Sequence, residues 1–184
     1  MFFLIVLISW LFFSKYFNED NTNVSQNTST TKVKVQDTGS TNLIDNISYT
    51  STDLKGNRYK ITAQQAVIDI NNKDIMFLEN VVAYAYMKNS NTIKIISDFG
   101  KYNSKNYDTI FSRNVIVTYP DHKITGDYLD FSLLNGLGTM STNIIYSSNK
   151  TNVVADMMEI DLSTKNSKIF MNDNKKKVII KGIR

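Results

Sequence analysis

Ile124-Thr125-Gly126-Asp127-Tyr128-Leu129-Asp130 is the stretch whose reading decides the fold. An aliphatic residue, a spacer, a small residue and an acid lead into a hydrophobic–Asp step, and the phrase recurs along the chain. Its opening returns as Ile61-Thr62-Ala63-Gln64, Ile95-Ile96-Ser97-Asp98 and Val153-Val154-Ala155-Asp156. The second step returns as Ile68-Asp69, Tyr102-Asn103 and Ile160-Asp161. The first three units then place Asn before a β-branched residue, in Asn80-Val81, Asn114-Val115 and Asn143-Ile144, whereas Asp173 follows Asn172 in the fourth. The small residues Ala63, Ser97, Gly126 and Ala155 lie 34, 29 and 29 residues apart. Periods of this length mark stacked units, none of which can bury a hydrophobic face alone.

Between these phrases, alternating Ile, Val, Thr and Tyr are punctuated by Asn-Gly, Asn-Lys and Asp-His turns, with no long segment at helical period. The pattern predicts an all-β domain of two or three strands per unit. Pro120, the only proline, falls in a turn, where no ladder hydrogen bond is lost. Phe77, Phe111, Met140 and Ile169 stand four residues before Val81, Val115, Ile144 and Asp173. Strand parity puts each on the face of the residue it precedes. In the first three units this predicts an apolar interior running along the stack. Its candidate lining is Phe77, Val81, Phe111, Val115, Val117, Met140 and Ile144, with Ile169 from the last unit. The openings Ile61, Ala63, Ile95, Ile124 and Val153 complete it. Periodicity alone favours a filled sandwich core for such an interior over a ligand groove, and a one-residue slip would turn it inside out.

Several chemistries are disfavoured. The 184 residues hold no cysteine, so disulfides, thiolate metal sites, a Cys nucleophile and a lipidated cysteine are all excluded. The single histidine, His122, sits in Tyr-Pro-Asp-His and reads as a surface turn residue. Net charge is +4, and Lys175-Lys176-Lys177 reads as a solvated edge, without the basic stripe and stacking aromatics of a nucleic-acid surface. Gly136-Leu137-Gly138 lacks the remainder of any nucleotide fingerprint. The repeated Asp residues suit turn hydrogen bonding better than a carboxylate pair or calcium site. No metal, cofactor or catalytic residue is expected, and the repeat leaves little room for an enzyme.

Phe2 to Phe13 is apolar except for Ser9, and Tyr16 and Phe17 extend the run past Ser14 and Lys15. A spanning helix wants about 20 apolar residues, and a start lacking a basic leader would account for the shortness. A secretory signal would show a basic n-region and a small-residue cleavage site, and neither is present. Residues 1–17 therefore read as an uncleaved membrane helix, with a signal as the alternative; Trp10, Phe12, Phe13 and Tyr16 suit a membrane boundary. Residues 18–45, rich in Asn, Thr, Ser, Asp and Lys, read as a polar linker or a loosely held first strand, and residues 46–184 as the β domain.

Over roughly Ile47 to Gly182 the repeat resembles the LptC/LptA (OstA-like) family of lipopolysaccharide-transport jellyrolls. The phrases that carry the likeness are Ile124 to Asp130 and Ser112-Arg113-Asn114-Val115-Ile116-Val117. The glycine usual in the family before Asn-Val is replaced here by Glu79, Arg113 and Thr142. Gly56-Asn57-Arg58-Tyr59 is similar to the family's Gly-x-x-Tyr step into the first repeat, and the single domain behind an apolar N-terminus looks more like LptC than LptA.

The resemblance implies an open jellyroll of two antiparallel sheets behind a single-pass inner-membrane helix, with the β domain in the periplasm. Such a protein accepts lipopolysaccharide from the membrane subunits of an ABC transporter and passes it to an LptA-like periplasmic jellyroll. Each acyl methylene exposed to water costs about 0.8 kcal/mol, so an apolar groove removes most of the cost of crossing. Transfer between jellyrolls can use strand addition at an open edge. Val178, Ile179 and Ile180, between Lys177 and Lys181, are the candidate partner edge, although a last strand that merely closes the core would read the same. The other readings are an LptA-like soluble bridge, a structural or adhesive β-solenoid, and a glycan-cleaving enzyme, for which no paired carboxylates stand out.

Overall fold

The computed structural model describes residues 43–182 except Leu54, Asn89 and Asn174. The 1–17 segment and most of the 18–45 stretch lie outside the described residues. Among the described residues no helix is long and apolar enough to cross a membrane.

Ten strands follow one another among the described residues: β1 (Leu43–Thr52), β2 (Arg58–Ile68), β3 (Ile75–Tyr86), β4 (Ile93–Asn103), β5 (Thr109–Tyr119), β6 (His122–Ser132), β7 (Leu137–Ser148), β8 (Thr151–Asp161), β9 (Asn166–Phe170) and β10 (Ile179–Gly182). Each repeat unit is a pair of strands, from β2–β3 to β8–β9. The first strand takes in Leu43 to Asp45 from the stretch read as linker. The strands form one antiparallel sheet in sequence order as far as β8. The far side of β8 is shared: β9 pairs with Met157 to Asp161, and β10 with Thr151 to Val154. Two separate sheets were expected, and a single continuous one is found.

That sheet is folded on itself. Ile124 and Phe131 belong to one strand, β6, yet both line the same cavity, so the strand must bend between them. The inward positions locate the bend. In β6 they are Ile124 and Gly126, then Leu129; in β4 they are Ile95 and Ser97, then Gly100 and Tyr102. The alternation gains one residue at mid-strand, so the crossing takes two residues and reverses parity. In β5 and β7 the crossing takes three, Ser112 to Asn114 and Ser141 to Asn143, and parity is kept. The ladders slip by one residue at the same line. A crease therefore crosses the sheet and turns it into two facing half-sheets.

The repeat phrase is the chemistry of that crease. Asn46, Asn80, Asn114 and Asn143 stand at φ 55°, 53°, 49° and 55°, the left-handed region that Asn tolerates better than most residues. The Asp or Gln of the preceding strand holds each unit's Asn. Asn80 Nδ2 donates to Gln64 Oε1 at 2.9 Å, Asn114 Nδ2 to Asp98 Oδ2 at 2.7 Å, and Asn143 Nδ2 to Asp127 Oδ2 at 2.6 Å. In the decayed fourth unit the backbone N–H of Asn172 donates to Asp156 Oδ2 at 3.1 Å. The acids of the opening phrase thus bond at a mid-strand bend, while the Asp or Asn of the second step bonds in the hairpin turns: Asp69 accepts from the Asn71 N–H, Asn103 from the Lys105 N–H and Asp161 from the Ser163 N–H. Where the crossing takes three residues, a second one is left-handed: Arg113 at φ 61° and Thr142 at φ 68°. Those are positions where the family's glycine would sit without strain.

Crease packing also explains the small residue. Ala63, Ser97, Gly126 and Ala155 face inward where the half-sheets converge. A Cβ on Gly126 would stand 3.2 Å from Met140 Cγ and 3.3 Å from the Thr142 carbonyl oxygen. Val81, Val115 and Met140 are fully buried along the crease, each contributing about 1.5–3 kcal/mol by leaving water. The Gly-x-x-Tyr step folds the β1–β2 turn. Gly56 takes φ 84°, and Asp53 accepts from the Asn57 amide and the Tyr59 hydroxyl while buried Asn57 reaches across to the Lys88 N–H.

Candidate functional site

Away from the crease the half-sheets diverge, and the gap between them is a cavity of about 340 Å³. Ile93, Ile95, Val117 and Ile124 line one wall; Leu129, Phe131, Met158 and Ile160 line the other. A second pocket of about 50 Å³ shares Ala85, Ile95 and Phe131 with the first, and extends the apolar interior toward Tyr49 and Ile61. The groove thus runs along the stack from β1–β2 to β8–β9. Its lips are the two sets of hairpin loops at the strand ends.

The sequence candidates divide by depth. Ile95, Val117 and Ile124 line the cavity, and Ile61, Ile95 and Phe111 line the smaller pocket. Ala63, Val81, Val115, Met140 and Ile144 are sealed at the crease, and Val153 is buried on the inner face of β8. Ile169 in β9 is half-buried against the core. Phe77 corrects the parity expectation. It is 46 % exposed on the outer face, because β3 crosses the crease in two residues, Glu79 and Asn80, rather than three. Leu78 takes the inward place instead. Val178 is half-buried just before β10, while Ile179 and Ile180 lie exposed within that edge strand.

The second wall, Leu129, Phe131, Met158 and Ile160, was missed, and the hydrophobic–Asp steps were its signal in the sequence. At the mouth stand Tyr119, His122 and Tyr146. His122 is paired with Tyr119 across the two-residue turn and begins β6, so it is a strand residue at the groove rather than a turn residue. Its Nδ1 lies 2.7 Å from the Tyr146 hydroxyl. The Tyr119 hydroxyl is 3.2 Å from Ser90 Oγ, which draws its pKa below the usual value, helped by the charge of Lys165. In the interior, burial raises Tyr102 well above the ordinary phenol range and raises Tyr49, whose ring stacks on it at 5.5 Å. Among the described residues no cluster of His, Cys, Asp and Glu has the makings of a metal site.

The folded sheet thus encloses an apolar cleft between its two half-sheets. A family model for LptC-related lipopolysaccharide assembly matches residues 1–169. The chain belongs to the LptC family. No curated protein matches it. Membership makes this LptC-related chain a component of the cell envelope with a role in lipopolysaccharide transport. Its ten-stranded creased sheet gives the LptC jellyroll likeness a physical basis.

Proposed function

We propose that this protein is a non-enzymatic carrier within the lipopolysaccharide export system. It is held to the inner membrane by residues 1–17, with its β domain in the periplasm. It accepts acyl chains from the membrane subunits of an ABC transporter into the groove between the half-sheets. It then passes them to an LptA-like jellyroll that adds a strand at β10, where Ile179 and Ile180 are exposed. The observation that carries the reading is the open apolar cleft lined by Ile95, Val117 and Ile124 from one half-sheet and Phe131 and Met158 from the other. At about 340 Å³ the resting cavity is near the lower end of small-molecule pockets, roughly 300–1,000 Å³. A lipid of several chains must therefore part the lips or lie along the whole groove.

Photocrosslinking from Val117 and from outward-facing Phe77, in an ATP-driven reconstituted export complex, tests the reading. A lipopolysaccharide adduct is expected at Val117 and not at Phe77; its absence at Val117 during active transport refutes lipid passage. The N-terminal residue of the mature protein decides between an anchor and a cleaved signal.

A further inference from the structure

The mouth of the groove differs in chemistry from its floor. On one lip, Tyr119, His122 and Tyr146 form a row across β5, β6 and β7, with ring centroids 6.1 and 5.7 Å apart and planes within about 22°. The rings lie against one another, so their polar edges are held in a fixed line by mutual packing and by the bonds to Ser90 and Tyr146. On the other lip the β8–β9 turn carries Lys165, held at φ 60°, followed by Asn166. Both lips border the same cavity. Lys165 and Tyr119 border that cavity from opposite lips, so a head group seated at the mouth meets both. Asp161, the nearby acid on that lip, has Oδ1 engaged by Ser163 and by the Thr164 N–H, and its carboxyl is held down to about 2 chiefly by the Ser163 hydroxyl.

A ligand suited to this arrangement is apolar below and anionic at the rim. Phenol, imidazole and amide groups supply directed hydrogen bonds, and an ammonium supplies charge for phosphate oxygens. Resting on the lipid-carrier reading above, we infer that Lys165 and the Tyr119–His122–Tyr146 row form a head-group station. It grips a phosphorylated sugar at the mouth while acyl chains occupy the floor. Carriage is then selective for the phosphorylated lipid over the same lipid without phosphate.

The test uses the full chain with a photocrosslinker at Val117. It is offered purified lipopolysaccharide either with its phosphates or after enzymatic dephosphorylation. With the phosphorylated lipid, Lys165→Glu is expected to lower the adduct yield about tenfold, the scale of one lost charge-assisted contact. Lys165→Arg should restore it, and the dephosphorylated lipid should respond to neither change. Tyr146→Phe removes the His122 partner without removing the ring, and should give a smaller loss confined to the phosphorylated lipid. Equal losses with both lipids, or no loss with either, overturn the station. Inorganic phosphate bound by the lipid-free protein and lost in Lys165→Glu, together with equal adduct yields from the two lipids, also overturns it, in favour of a free-phosphate site. If the parent protein gives no adduct with either lipid, the lipid-carrier reading itself fails and the station falls with it. Lys165 is exposed, so its variants should match the parent's urea unfolding curve, and one that does not is replaced by Lys165→Gln.

Discussion

Thr142 and Glu79 occupy the same place in the repeat, one residue before the crease Asn, yet replacing each by glycine should move stability in opposite directions. Thr142 sits at φ 68°, and an L-residue held in the left-handed region costs about 1–2 kcal/mol. Glycine removes that cost but adds roughly 0.5–1 kcal/mol of backbone entropy lost on folding. The side chain is exposed, so little packing is sacrificed. Thr142→Gly should therefore stabilise the fold by about 0.5–1 kcal/mol. Glu79 is absent from the left-handed residues because β3 crosses the crease with Asn80 alone in that conformation. Glu79→Gly relieves nothing and should destabilise by about 0.5–1 kcal/mol. Urea unfolding followed by far-UV circular dichroism reads both. At a slope of about 2 kcal/mol/M the midpoints should separate from the parent by about 0.25–0.5 M in opposite senses. Shifts of the same sign would refute the distinction between two-residue and three-residue crossings.

Other expectations follow from the same geometry. Phe111→Ala empties a site that is 2 % exposed and should cost about 3–5 kcal/mol; Phe77→Ala, on the outer face, should cost under about 1 kcal/mol, and equal costs would mean that β3 is slipped by one residue. Gly126→Val meets Met140 Cγ and the Thr142 carbonyl at the crease and should destabilise by about 1–3 kcal/mol, seen as a lowered urea midpoint. Burial, and then the charge of Asp53, push Tyr59 up to about 12, and burial raises Tyr102 and Tyr49 as well. The unfolded phenols ionise near pH 10, so the unfolded state sheds protons first. Stability should then fall as pH rises from about 10 toward 12, and an unfolding midpoint that is flat across that range would refute the burial of these rings.

Much of this architecture is local and therefore legible. Alternation at period two announces strands wherever it occurs, and the spacing of Ala63, Ser97, Gly126 and Ala155 shows stacked units without any knowledge of their neighbours. The residue types of the crease are equally local: Asn for a left-handed φ, a small residue for close approach, and an acid for the amide across the ladder. Five residues sealed at the crease, Ala63, Val81, Val115, Met140 and Ile144, were recognisable as interior on that basis. The apolar character of Phe2 to Phe17 is likewise a property of sequence alone.

The face of each side chain beyond the crease was decided elsewhere. Period-two alternation carries no record of how many residues a strand spends in turning, and one residue more or fewer reverses every side chain that follows. Phe77 and Phe111 occupy the same repeat position and differ by that single residue. The unity of the sheet, the wall of Leu129, Phe131, Met158 and Ile160, and the meeting of Tyr119 with Lys165 over one mouth all require strands far apart in sequence to be brought face to face. The repeated phrase that opens at Ile124 determined that this chain would be a stack of creased strands; only the folded sheet decided which of their side chains would face the groove.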